Sequence, residues 1–173
     1  MYEKITLSGK ICTGKSTLFK DLSESLHWPT YSAGQFFRLY VTKHNLTLEK
    51  ADEQNPQITK EVDYGMQKML KEQPHIILEG WMAGIMADDL PDVLRILLIC
   101  DDVERIKRFA ERENVTEEIA REKIYEREAN LFDKLEEIYN RRDFVDPQNY
   151  NLVIDTTVKT SFDVLTVVLK HLK

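Results

Sequence analysis

Short apolar runs recur along the chain, each followed by a stretch in which apolar residues step by three and four. Ile5 to Ser8, His75 to Glu79, Leu94 to Cys100 and Leu152 to Asp155 are apolar or β-branched with little alternation, and Thr30 to Ser32 is a weaker fifth run. Runs without a wet face are the pattern of parallel strands covered on both sides. Leu18, Leu22 and Leu26 repeat every four residues after the first run, and Val164, Val167, Val168 and Leu172 keep helical spacing after the last. Strand and helix in alternation, with short connections, predict an α/β fold with a doubly wound, parallel, five-stranded sheet and right-handed crossovers. Phe36 to Gln73 interrupts the alternation. It is mostly helical in pattern, punctuated by Pro56 and Pro74, and is expected as a helical insertion on the sheet edge. With no internal repeat and no low-complexity linker, residues 1–173 form one domain.

Composition narrows the class. A chain of 173 residues, 42% hydrophobic and 31% charged, suits a single globular domain. No run approaches the ~18 apolar residues of a membrane span, and Met1-Tyr2-Glu3-Lys4 leads into a strand rather than an export signal, so no membrane association is expected. Two cysteines, Cys12 and Cys100, make neither a disulfide framework nor a CxxC site, and a reducing cytoplasm is the expected compartment. Thirty acidic against 24 basic residues give a net charge of −6, which repels a phosphate backbone and argues against a nucleic-acid partner. Any phosphate must be held by a local cluster.

Such a cluster lies after the first strand. Gly9-Lys10-Ile11-Cys12-Thr13-Gly14-Lys15-Ser16 matches G-x-x-x-x-G-K-[ST], a loop whose backbone N–H groups curl around a polyphosphate at a helix N-terminus. Lys15 is expected on the β and γ phosphates of ATP, Ser16 on a magnesium ion, and Thr17 near the α phosphate. Cys12 and Thr13 complete the loop, Cys12 as a small neutral filler rather than a nucleophile.

Three further segments give the loop a context. Ser32-Ala33-Gly34-Gln35-Phe36-Phe37-Arg38 follows the second strand, Glu79-Gly80-Trp81-Met82-Ala83-Gly84 closes the third, and Asp155-Thr156-Thr157 follows the last. With the phosphate loop, over nearly the whole chain, they resemble the cytidylate kinases, in particular the short archaeal-type branch of these P-loop nucleoside-monophosphate kinases. The resemblance implies a core of 1–35, 74–111 and 143–173, a monophosphate-binding insertion of about 36–73, and a lid of about 112–127 within a helical pair at 102–142. It implies ATP and Mg2+ as cofactors, CMP or dCMP as acceptor, and a monomer. Arg38 matches the arginine that grips the acceptor phosphate, a planar fork suited to phosphate oxygens. Ser32 and Gly34 would lie near the acceptor nucleoside, Gly80 and Trp81 in the stretch contacting the acceptor monophosphate, and Glu79 behind the magnesium ion. Trp81 stands where the family usually has arginine, so either the acceptor differs from CMP or another cation substitutes. Asp63 and Gln67, one helical turn apart, present either an acceptor and a donor to a base edge or a solvated face.

Seven of the nine arginines fall between Arg105 and Arg142, in two helices joined at Glu113-Asn114-Val115-Thr116, where this kinase family carries its lid. Thr116 reads as an N-cap, and Asp101-x-x-Glu104 as a capping box. Arg105, Arg108 and Arg112 share a broad helix face, with Arg108 expected beside the ATP purine. Ala120, Ile124, Leu131, Leu135 and Ile138 form an apolar stripe, and Arg127 and Lys134 fall in phase with it. Cations in line with apolar residues point to a buried anion. Arg112, Arg127 and Lys134 are therefore assigned to the transferring phosphoryl group; salt bridges to Glu126, Glu128 and Glu136 are the competing explanation. Arg141 and Arg142 are lid cations or helix-end charges. A nucleoside-monophosphate kinase is the leading expectation. Its rivals are a P-loop kinase for another nucleotide or a small hydroxylated metabolite, and a nucleotide-binding regulator without transfer activity.

Overall fold

The computed structural model describes residues 2–48 and 55–172. Five strands, β1 (Lys4–Gly9), β2 (Thr30–Ser32), β3 (Ile76–Glu79), β4 (Val93–Ile99) and β5 (Leu152–Asp155), form one sheet in the order β2-β3-β1-β4-β5. Every pairing is parallel. The chain winds to one side of β1 and then to the other, and a sheet of this kind takes its ligand in the crevice beyond the carboxyl ends of its central strands.

The absence of alternation in the strands has its cause in the layers. On β3, Ile77 packs with Leu18 and Leu22 of α1 (Lys15–Leu26) and Val164 and Val168 of α6 (Ser161–His171). Its neighbours Ile76 and Leu78 face the opposite layer, against Val62, Met66 and Leu70 of α3 (Pro56–Glu72). The expected edge insertion is thus partly a layer of the core. Its first helix, α2 (Ala33–His44), follows the edge strand β2, whereas α3 covers a sheet face that would otherwise be left wet. Pro56 opens α3 behind an Asn55 cap, and residues 49–54 of the insertion lie outside the described residues.

The remaining pair, α4 (Asp102–Glu113) and α5 (Glu117–Tyr139), is docked to the phosphate loop. Ile106, Phe109 and Ala110 of α4 and Ala120 and Ile124 of α5 enclose Ile11. Thr116 caps α5 by accepting from the Ile119 N–H. Asp101 caps α4 by accepting from Val103 N–H, but the expected reciprocal half is absent because the Glu104 carboxylate accepts from Arg108 Nε at 2.8 Å instead. The pair ends at Tyr139 rather than at residue 142, since Asn140 takes a left-handed conformation that closes the helix. Among the described residues no helix is long and apolar enough to cross a membrane.

Candidate active site

The loop after β1 depends on glycine at two places. Gly9 has φ +146°, and a Cβ there would stand 2.4 Å from the Leu98 carbonyl oxygen; Gly14, at φ +91°, turns the chain into α1. Lys15, the first residue of that helix, is buried, and its Nζ donates to the Gly9 and Lys10 carbonyls at 2.7 Å each. Burial pulls its ammonium down to about 8, opposed chiefly by the Glu79 carboxylate. Thr13 lies beneath the loop: its hydroxyl donates to Lys10 O, and its carbonyl accepts from Thr156 Oγ1 at 3.0 Å. Thr156, beyond β5, thereby holds the loop from below.

Glu79 ends β3 and is buried at 5% exposure. Its carboxylate accepts from Ser32 Oγ, and the same hydroxyl accepts from Gln35 N–H as the cap of α2. A Cβ on Gly34 would lie 3.1 Å from Glu79 Oε2 and 3.5 Å from Arg38 Nη1. A side chain at Gly34 would press on both groups. The following stretch is tied to β1 by Ser8, which donates to Gly80 O at 3.0 Å and accepts from Gly84 N–H at 3.1 Å.

These elements open on a cavity of about 610 Å³. From the loop it is lined by Cys12, Gly14, Lys15, Ser16 and Thr17; from α2, α3 and the end of β3 by Gly34, Arg38, Asp63, Glu79, Gly80 and Trp81; and from α4 and α5 by Arg108, Arg112, Arg127 and Lys134. Ser32 faces an adjoining hollow that shares Ser16 and Glu79 with it. A phosphate loop, a carboxylate at the end of a central strand and cations from three directions thus surround one space. Residues 4–158 match the model of the cytidylate kinase-like family. The chain belongs to that family.

Its relatives share most of its length. The cytidylate kinase of Halobacterium salinarum is 34% identical over 155 residues, covering 88% of this chain and 80% of that one. That of Methanococcus vannielii is 33% identical over 174 residues, 98% and 99% of the two chains. The solved structure of a shikimate kinase from Acinetobacter baumannii, in complex with shikimate, has a TM-score of 0.63 at 14% identity over 99% of this chain and 93% of its own, a likeness of fold alone. This cytidylate kinase-like chain is accordingly an ATP-dependent phosphotransferase acting on nucleotides.

Within that family site, several residues stand elsewhere than their spacing implied. Gln67 is half-buried on α3 and does not line the cavity, whereas Asp63 does. Asp63 is 4% exposed and accepts from the Tyr139 hydroxyl at 2.8 Å, and burial pushes its carboxyl up to about 7. Arg108 is held at the cavity rim by Glu104 and by the Thr156 carbonyl at 2.8 Å. Arg112 is exposed, bonded to Glu113 and set 5.1 Å over the Phe109 ring. Arg105 parts from both. Its guanidinium is fully buried, donating to Glu128 Oε1 at 2.5 Å, to Ile11 O at 3.0 Å and to Asp102 Oδ1 at 2.6 Å. Glu128 Oε1 also accepts from the Ile11 N–H at 3.1 Å, so this pair grips the phosphate loop rather than a ligand. Arg141 bonds Asp143, and Arg142 bonds Glu136 and Asp133, both outside the cavity lining. Trp81 sits edge-on to Phe132 and Phe144 and presents its ring to Lys15 Nζ at 5.7 Å.

Proposed function

We propose that this protein transfers the γ-phosphoryl group of ATP to CMP or dCMP, giving CDP or dCDP. One observation carries the reading: Lys15 from the loop, Arg38 from the acceptor side, and Arg112, Arg127 and Lys134 from the helix pair line a single cavity. Phosphoryl transfer asks little covalent chemistry of a protein; it asks for in-line placement, positive charge around the transferring group and exclusion of water. Lys15 serves the β and γ phosphates, Arg127, Lys134 and Arg112 the charge spread over the transferring oxygens, and Arg108 the purine end of ATP. The Ser16 hydroxyl and the Glu79 carboxylate both border this space, and such hard oxygen donors suit a magnesium ion that keeps waters and phosphate oxygens for its other positions. Bound there, the ion would neutralise charge on the phosphates. Residues 36–73 then take the acceptor, and the turn between α4 and α5 acts as the lid.

On the acceptor side Arg38 carries the phosphate contact, because Trp81 offers no fork of donors. Arg38→Ala is expected to raise the acceptor KM about 10–100-fold, the loss of one or two charge-assisted hydrogen bonds, while the ATP KM stays within about twofold. Equal changes in both constants would overturn the assignment. Trp81 in place of an arginine favours a second reading, an acceptor other than CMP. ADP release measured with CMP, dCMP, the other nucleoside monophosphates and small hydroxylated metabolites decides between them. CMP-dependent release is expected; release with a metabolite alone rejects the acceptor, and ATP binding without release rejects the reaction.

A further inference from the structure

Helix α3 carries two polar side chains into the cavity that phosphate chemistry leaves unused. Thr59 and Asp63 lie one turn apart, both line the cavity, and each is 4% exposed. Thr59 Oγ1 has no hydrogen-bond partner among the described residues. Buried hydroxyls are rarely left so, and one aimed into a ligand cavity is waiting for the ligand. The Asp63 carboxylate accepts from the Tyr139 hydroxyl of α5 at Oδ2. Phe37, Leu48, Met82 and Leu131 supply apolar wall to the same cavity. Apolar walls with a few convergent polar groups are how small planar ligands are oriented.

We propose that Thr59 and Asp63, with Tyr139 fixing the carboxylate, read the edge of the acceptor base and select an amino-bearing edge, that of cytosine or adenine, over the oxo-bearing edge of uracil or guanine. The inference rests on the reading of this cavity as a nucleoside-monophosphate site and names its specificity. An ionised carboxylate only accepts hydrogen bonds, so it demands the exocyclic amine. The threonine hydroxyl donates to the bare ring nitrogen of cytosine or accepts from the ring N–H of uracil, and so tolerates either. Discrimination therefore lies with Asp63. Protonated, it gains an O–H that donates to an oxo group, and the preference weakens.

The groups that set this titration are known. Tyr139 and Lys134 of α5 draw the carboxyl down, burial pushes it up to about 7, Tyr31 on β2 stands close enough to feel its charge, and Tyr64 packs on the Tyr139 ring at 6.4 Å. Arg38 and Glu79 border the same cavity.

The test compares kcat/KM for CMP against UMP, and for AMP against GMP, at saturating magnesium-ATP at pH 6 and pH 8. The wild type is expected to favour the amino base by about tenfold or more at pH 8, and by at least about threefold less at pH 6. In Asp63→Asn, whose amide both donates and accepts, the preference should fall to within about threefold of unity and lose its pH dependence. Tyr139→Phe removes a bond to the ionised form, so the preference should set in at higher pH. Thr59→Val should weaken both acceptors by about tenfold yet keep or raise the thermal midpoint, the reverse of what a structural hydroxyl would do. An Asp63→Asn protein that keeps the wild-type ratio and pH profile overturns the inference. So does an unmoved profile in Tyr139→Phe, which carries the test if the first variant fails to fold. A wild type that uses none of the four monophosphates defeats the underlying reading and this inference with it; turnover with a ratio indifferent to Asp63 defeats the inference alone.

Discussion

Replacing Lys15 with alanine is expected to reduce kcat by at least about a thousandfold with the fold intact, since preorganised donors at a developing charge are worth ~10²–10³ each in a water-poor site. The lysine is buried, lines the cavity and donates to the Gly9 and Lys10 carbonyls. Desolvation holds its ammonium near 8. The sign of the consequence follows. Between about 8 and the ordinary lysine value of 10.5 the unfolded chain binds this proton more tightly than the folded one, so stability from this group falls as pH drops through that window. A bound triphosphate restores the charge. Calorimetry in two buffers at pH 8 should therefore record proton uptake on ATP binding, absent in the alanine variant. Near-normal turnover by Lys15→Ala would refute the role.

The second large effect belongs to Glu128. Its carboxylate joins the fully buried Arg105 guanidinium to the Ile11 N–H, and Arg105 in turn donates to the Ile11 carbonyl. Glu128→Ala takes from a buried cation its one buried acid and leaves it only the largely exposed Asp102 at 2.6 Å, a loss of up to about 3–5 kcal/mol. At this chain length that lowers the thermal midpoint by roughly 6–20 °C. Exchanging both partners together, as Arg105→Met with Glu128→Leu, should be far milder in stability because no buried charge is left unpaired and Asp102, which loses its guanidinium, faces solvent. ATP binding should still weaken in the double variant, since Ile11 loses both of its partners. A Glu128→Ala protein melting within about 2 °C of the wild type would disprove the clamp.

Much of this molecule can be read from its residues. The five strands lie within a residue of their apolar runs because a sheet covered on both faces leaves no alternation to mislead. The phosphate loop is legible because glycine at positions 9 and 14 answers a backbone demand that few other residues meet. Arg105 is another matter. With Arg108 and Arg112 it shares a helix face, and spacing cannot say which of three equivalent cations turns inward; the acid buried with it, Glu128, is 23 residues away on another helix. Asp63 and Gln67 likewise differ only in how each is placed relative to the Val62, Met66 and Leu70 stripe that seats α3 on the sheet. Thr59 carries no sequence signal, and Thr156 is marked only as part of the Asp155-Thr156-Thr157 segment, which does not show that its hydroxyl holds the loop; a threonine hydroxyl acquires meaning only from what the fold brings beside it.

Consecutive residues of α5 face different masters: Arg127 borders the cavity, while Glu128 reaches the phosphate loop. One residue of α-helix turns the chain by about 100°. A single codon inserted between Thr116 and Arg127 would rotate both side chains away from their tasks together, whereas one inserted at Asn114 or Val115 only lengthens the bend. Indels along this lineage should accordingly gather at that bend and be purged from the helix behind it.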